Sequence, residues 1–247
     1  MQCSIDERMQ QTSMTSHDDF LSALGLPATV GVHAASFKDV DISALERIKF
    51  PAHVAVSDKR RREFKLGRYC AAHALHTAGH YKHAELTRRA DGLPEWPTGW
   101  LGSISHSSLG AIAAVSQSSS CSALGIDIEQ WIDEKSVISV QEHVTCPSEL
   151  RVLRDMPLRQ VTTILFSAKE ALYKALYPDV KTFFDFTAAR LISASTNRLT
   201  FVLCDDWSDK WRKESLLTAG YACDREHVYS AVWLPNISQS SCKSRNG

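Results

Sequence analysis

The 247-residue sequence predicts an α+β protein built from two similar halves, each a helix packed on antiparallel strands. Three observations carry that prediction. Strand and helix periodicities alternate in the order strand, helix, strands, then strand, helix, strands. A small polar stretch, "SQSSSCSA", separates the two sets. Hydrophobic content of 44% with 23% charged residues is that of a chain with a real core. The halves divide as 20–120 and 121–236, flanked by tails at 1–19 and 237–247 that read as disordered.

In chain order, "ATVGVHAASF" (28–37) alternates as a strand. A helix follows from Ser57, which caps it, to Gly79, which ends it. Phe64, Ala71, Leu75 and Ala78 form its expected apolar face, and Arg60, Arg61, Arg62 and Arg68 a dense positive cluster. "GWLGSISHSSLGAIAAVSQ" (99–117) reads as two strands around a turn. After the linker comes the strand "ALGIDIEQW" (123–131). Pro147 suits the first turn of a short helix, and "QVTTILFSAKEALYKALYP" is a strong helix expected to stop at Pro178. Two hairpins close the chain, turning near Asn197 and Arg225. A cleft between the halves is the natural place for a ligand.

Charge and cysteine usage narrow the function. The 28 basic and 28 acidic residues cancel, which argues against a bulk nucleic-acid or membrane binder. Seven cysteines with no C-x-x-C pair read as reduced thiols. No apolar run reaches the ~20 residues that span a bilayer, and the start of the chain lacks an apolar signal core. A cytoplasmic protein is expected.

Chemistry concentrates in three places. On the strand 123–131, Ile126 and Ile128 point to one side, and Asp127 and Glu129 to the other. Two neighbouring carboxylates repel, and a hard cation such as Mg²⁺ or Mn²⁺ relieves them; a solvated edge strand is the plainer alternative. Glu170 and Lys174 stack one helical turn apart, as a third ligand or base and a phosphate partner, or as a surface ion pair worth ~0.2–0.5 kcal/mol. Ser105 and His106 offer donors at a strand end, but as adjacent strand residues they face opposite ways, against a direct Ser–His pair.

Together these motifs have a family likeness. The run R-R-x-F-x-x-G-R at 61–68, "PEWPTGWLGSISHS", "GIDIE" and "FSAKEALYKA" resembles, in order and spacing, the phosphopantetheinyl transferases. More narrowly it resembles the branch containing the enterobactin synthase component D proteins. The resemblance runs from about Ala44 to Leu176 and more loosely through the last strands. It implies a pseudo-twofold pair of halves with the active site in their cleft. It implies transfer of 4′-phosphopantetheine from coenzyme A to a carrier-protein serine, releasing adenosine 3′,5′-bisphosphate. By the same resemblance, Asp127, Glu129 and Glu170 hold Mg²⁺, Glu170 is also the base, and Lys174 assists the departing phosphate. Ser105, His106, Arg61 and Arg68, with Arg89 as a looser match, bind coenzyme A. The partners implied are carrier domains of nonribosomal peptide or polyketide synthases, siderophore synthesis among them, and the branch implies a monomer. A Mg²⁺-dependent nucleotide phosphohydrolase and a non-catalytic coenzyme A or carrier-binding module are the competing functions.

Overall fold

The computed structural model describes residues 17–51 and 56–236. In order these form α1 (His17–Leu24), β1 (Gly31–Ser36), α2 (Ile42–Glu46), α3 (Asp58–Thr77), β2 (Trp100–His106), β3 (Gly110–Gln117) and β4 (Cys121–Gln130). Then follow α4 (Val137–Val144), α5 (Pro147–Val152), α6 (Leu158–Val180), and β5 (Ala189–Ser195), β6 (Arg198–Leu203), β7 (Leu216–Cys223) and β8 (His227–Pro235). A three-stranded sheet has the order β1-β3-β2, and a five-stranded sheet the order β4-β8-β7-β6-β5. The pairings are antiparallel.

The α+β class is as expected, arranged in four layers. Helix α3 covers one face of the small sheet through Leu66, Cys70, Ala71, Ala74 and Leu75, packed with Ala111, Ala113 and Val115 of β3. Helix α6 covers one face of the large sheet through Leu165, Ala168, Leu172 and Leu176. The two remaining sheet faces meet each other, with Val32, Ile112 and Ala114 against Leu124, Ile126, Ile128 and Ala231. Strand alternation divides β4 accordingly: its even residues face the other half, while Gly125 approaches α6.

Both halves use the same close approach of strand to helix. A Cβ at Gly31 would lie 2.1 Å from the Ala74 carbonyl, and one at Gly125 would lie 1.9 Å from the Ala171 carbonyl. Only glycine lets the backbones sit so near.

Local signals set most boundaries. Ser57 caps α3 by accepting the Arg60 N–H, and Asp41 caps α2 by accepting the Ser43 N–H. Pro147 stands in the first turn of α5. Three expectations need correction. Helix α6 runs through Pro178 to Val180, because a proline in the final turn costs one hydrogen bond and the helix ends two residues later anyway. Lys181 then closes it in the left-handed conformation (φ +57°), its N–H donating to the Tyr177 carbonyl. The buried face of α3 centres on Leu66, Cys70 and Ala74 rather than on Phe64 and Ala78, since β1 and β3 meet that side. Helix α1 begins at His17, inside the stretch expected as tail; residues 1–16 and 237–247 lie outside the described residues.

No helix among the described residues is long and apolar enough to cross a membrane. The described cysteines at 70, 121, 146, 204 and 223 are free thiols.

Candidate active site

The site forms where β2 of the first half meets β4 and α6 of the second. β4 is hydrogen-bonded to β8 on one side, and its other edge is covered by β2, where Ser103 Oγ accepts the Ile126 N–H at 3.0 Å. That cover removes the solvated-edge alternative: Asp127 is only 1% exposed. Ser105 donates to Asp127 Oδ1 at 2.8 Å, and Lys174 Nζ donates to the same oxygen at 2.5 Å and to Ser105 Oγ at 2.8 Å. A serine from one half, an acid from the other and a helix lysine therefore form one triangle. The lysine turns from its helix neighbour Glu170 toward this acid, so the α6 pair is no plain surface salt bridge.

Asp127 Oδ2 is buried and has no hydrogen-bond partner among the described residues. Leaving a carboxylate oxygen so costs on the order of 1–3 kcal/mol or more unless something binds it. Beside it, Glu129 is pushed up to about 8, by burial first and then by the charges of Asp127 and Glu170, with Lys174 opposing. Glu170 is raised by burial, relieved by Lys174 and raised again by Asp127. The three acids thus share one electrostatic neighbourhood. Among the described residues, no three His, Cys, Asp or Glu side chains converge into a ready metal cage. Lys174 holds Asp127 Oδ1, and Oδ2 is the oxygen left over.

His106 faces away from Ser105, as alternation requires, toward Glu63 of α3 (Nδ1 to Oε2 3.7 Å). Burial lowers its pKa; Glu63 opposes this, while Arg60 and Lys174 add to it. Arg68 is buried over the Phe64 ring at 4.6 Å and donates to the Thr87 carbonyl at 3.4 Å. Its Nε has no partner among the described residues, and burial followed by Arg88 pushes its pKa down to about 10. Arg61 is exposed, over the Phe50 ring at 5.1 Å, and Arg89 pairs with Asp91 at 3.1 Å. Asp91 also holds Lys181 at 2.7 Å, tying the 88–94 loop to the end of α6.

This arrangement coincides with two family matches. Residues 51–116 match the 4′-phosphopantetheinyl transferase N-terminal domain, and residues 123–230 the 4′-phosphopantetheinyl transferase superfamily. The chain belongs to this superfamily. It is an enzyme of the phosphopantetheinyl transferase class, of the enterobactin synthase component D-like branch. It is 27% identical over 209 residues to enterobactin synthase component D of Salmonella typhimurium, covering 81% of this chain and 82% of that one. It is 37% identical over 145 residues to the transferase Svp of Streptomyces mobaraensis (57% and 58% covered). It is 34% identical over 135 residues to PptT of Mycobacterium tuberculosis (54% and 58% covered). A solved holo-[acyl-carrier-protein] synthase from Thermotoga maritima aligns over 46% of this chain and 64% of its own, at 21% identity and a TM-score of 0.36.

In this transferase, sequence reasoning missed Glu63, Ser103 and Arg88, and took Arg60 only as part of a positive cluster. Glu63 is buried and meets Lys59 at 3.9 Å and Arg60 at 3.8 Å as well as His106. The signal was present, since i,i+3 and i,i+4 spacing sets Glu63 beside both cations. Reading "KRRRE" as a positive run hid the acid within it. Nothing local marks Ser103 or Arg88; their roles come from the strand and loop packed against them.

Proposed function

We propose that this transferase moves 4′-phosphopantetheine from coenzyme A to a serine of an apo carrier protein, releasing adenosine 3′,5′-bisphosphate with the help of Mg²⁺. The contact of Ser105, Asp127 and Lys174 across the two halves, in a chain of this superfamily, carries the reading. The names of the component D relatives support siderophore or other nonribosomal peptide synthesis as the setting.

The donor set fits a hard divalent cation: Asp127 Oδ2 is buried without a partner, and Glu129 and Glu170 add oxygen donors in its field. When bound there, Mg²⁺ or Mn²⁺ would neutralise charge on the pyrophosphate. Glu170 takes the proton of the carrier serine, directly or through water; its raised pKa makes its carboxylate a better base. The serine oxygen bonds to the phosphorus on the pantetheine side of the pyrophosphate. The bond from that phosphorus to the bridging oxygen breaks, and the leaving phosphate keeps the electron pair. Lys174 offers that oxygen a proton from the ammonium that Asp127 and Ser105 hold in place. Arg68, buried beside Arg88 with Nε unbonded, suits a phosphate of coenzyme A. His106, Arg61 and Arg89 complete the donors proposed for that substrate.

The test is to incubate the protein with coenzyme A, Mg²⁺ and an apo carrier domain of a nonribosomal peptide synthetase, and to weigh the carrier. A gain of one phosphopantetheine is expected. Cleaved nucleotide with an unmodified carrier would instead assign a hydrolase, and binding without product a coenzyme A or carrier-binding module.

A further inference from the structure

A cavity of about 460 Å³ opens behind β4, on the side away from Asp127 and Glu129. Ile128 is its contact with that strand. His33 on β1, Tyr69 on α3, and His227 and Tyr229 at the start of β8 line it, so it lies between the halves like the acid site but faces the other way. None of its lining residues has a part in the proposed transfer.

The β7–β8 turn supplies a fixed negative charge to this cavity. Asp224 Oδ1 accepts the backbone N–H groups of Glu226 (2.8 Å) and His227 (2.7 Å), and Oδ2 accepts the Tyr229 hydroxyl at 2.8 Å. Burial acts to raise the Asp224 pKa, but the His227 side chain and these bonds together hold it at about 2. The imidazole of His227 sits with Nδ1 3.7 Å from Asp224 Oδ1. A carboxylate there favours the tautomer with the proton on Nδ1, leaving an acceptor lone pair on Nε2. His227 is 8% exposed, and its Nε2 has no hydrogen-bond partner among the described residues. A buried acceptor of this kind is destabilising until a donor meets it.

The rest of the lining agrees in sign. Asp39 and Glu226 add two carboxylates, and Lys38 is the single lysine opposing them. Ala34, Ala111 and Ile128 give apolar walls, and Tyr69 and Tyr229 give aromatic ones. Acceptors, negative charge and aromatic rings around an apolar floor suit a compact cation that donates hydrogen bonds.

We propose that this cavity is a second ligand site, which takes a small organic cation carrying an ammonium or guanidinium group on a short apolar body. The cationic head donates to His227 Nε2 and lies against the Asp224 charge. The body fills the space above Ile128.

The probe is agmatine, titrated calorimetrically into the full-length protein with neither coenzyme A nor carrier present, so that the outcome is independent of the transferase reading. Saturable one-to-one binding is expected, with glutarate, an anion of similar length, giving none. His227→Phe and Asp224→Asn should each weaken agmatine binding at least tenfold. Asp224 also braces its turn, so the deciding variant is Ala34→Trp. It obstructs the cavity from an exposed position on β1 and leaves His227 and Asp224 unsubstituted, and it should abolish the binding heat at an unchanged melting temperature. Absence of saturable binding, equal binding of glutarate, or agmatine binding unchanged in Ala34→Trp would each overturn the proposal.

Discussion

The two halves share a scaffold and differ in chemistry. Each lays one long helix across an antiparallel sheet, and each brings a strand glycine under that helix: Gly31 against Ala74 in the first, Gly125 against Ala171 in the second. Yet the second half carries the acids and the lysine, on β4 and α6, while the first contributes hydroxyls, histidine and arginines from β2 and α3. The interiors differ too. The second half buries a complete ion pair, Lys169 with Glu149 at 2.8 Å, whose lysine also donates to the Val144 and Phe186 carbonyls. The first buries Arg68 with one nitrogen unbonded among the described residues. The satisfied pair fixes where α6 lies, and the unsatisfied cation is suited to receive an anion. The difference teaches that a repeated architecture can place a satisfied buried pair beside the acids and lysine in one half and an unsatisfied anion-binding cation in the other.

The largest effect should come from breaking the satisfied pair. Lys169→Ala strands Glu149, although Glu149 keeps the N–H groups of Cys146 and Leu191. A loss of about 3–5 kcal/mol is expected in urea unfolding. A loss under 1 kcal/mol would mean that the pair does not anchor α6. Next, Asp127→Ala or Glu170→Ala should lower carrier modification by roughly 10²–10³-fold, with the far-ultraviolet circular dichroism unchanged. Full activity in both would remove the acids from the mechanism.

The shared glycines sharpen the comparison further. Gly31→Ala and Gly125→Ala should each cost about 1–3 kcal/mol, because the new methyl meets backbone rather than a yielding side chain. Transfer per folded molecule should fall only for Gly125→Ala, since β4 also carries Asp127. An equal loss in both variants would show that the two helices position the site alike.

The smallest effect is on pH dependence. The Asp224 pKa is about 2 in the fold against an ordinary value near 3.8. Its stabilisation is therefore complete above the ordinary value and is lost as pH falls toward 2. Asp224→Asn should flatten that part of the acid-unfolding profile; an unchanged profile would show that the turn's hydrogen bonds do not hold its charge.

The α+β halves, most strand and helix positions and the acids of β4 were legible because strand and helix periods are local. Ile126 and Ile128 against Asp127 and Glu129 follow from alternation alone, and Ala168, Leu172, Ala175 and Leu176 from helical spacing. Short helices were less legible. α1 and α4 have eight residues each, too few for a periodic signal to stand out.

By itself, then, the sequence determined the scaffold's elements, the chemical types available and, through motif order, the family they resemble. Only the tertiary structure decided which groups meet. Lys174 bonds Asp127 across 47 positions of chain rather than Glu170 one turn away, because β4 lies under α6 and buries an acid there. Glu63 keeps its helix neighbours Lys59 and Arg60 and also meets His106, because β2 packs on α3. Periodicity reports the direction a side chain takes from its own backbone. What it meets in that direction depends on the packing of distant segments, and it is that packing which sets the burial, the unpaired oxygen of Asp127 and the charges around it.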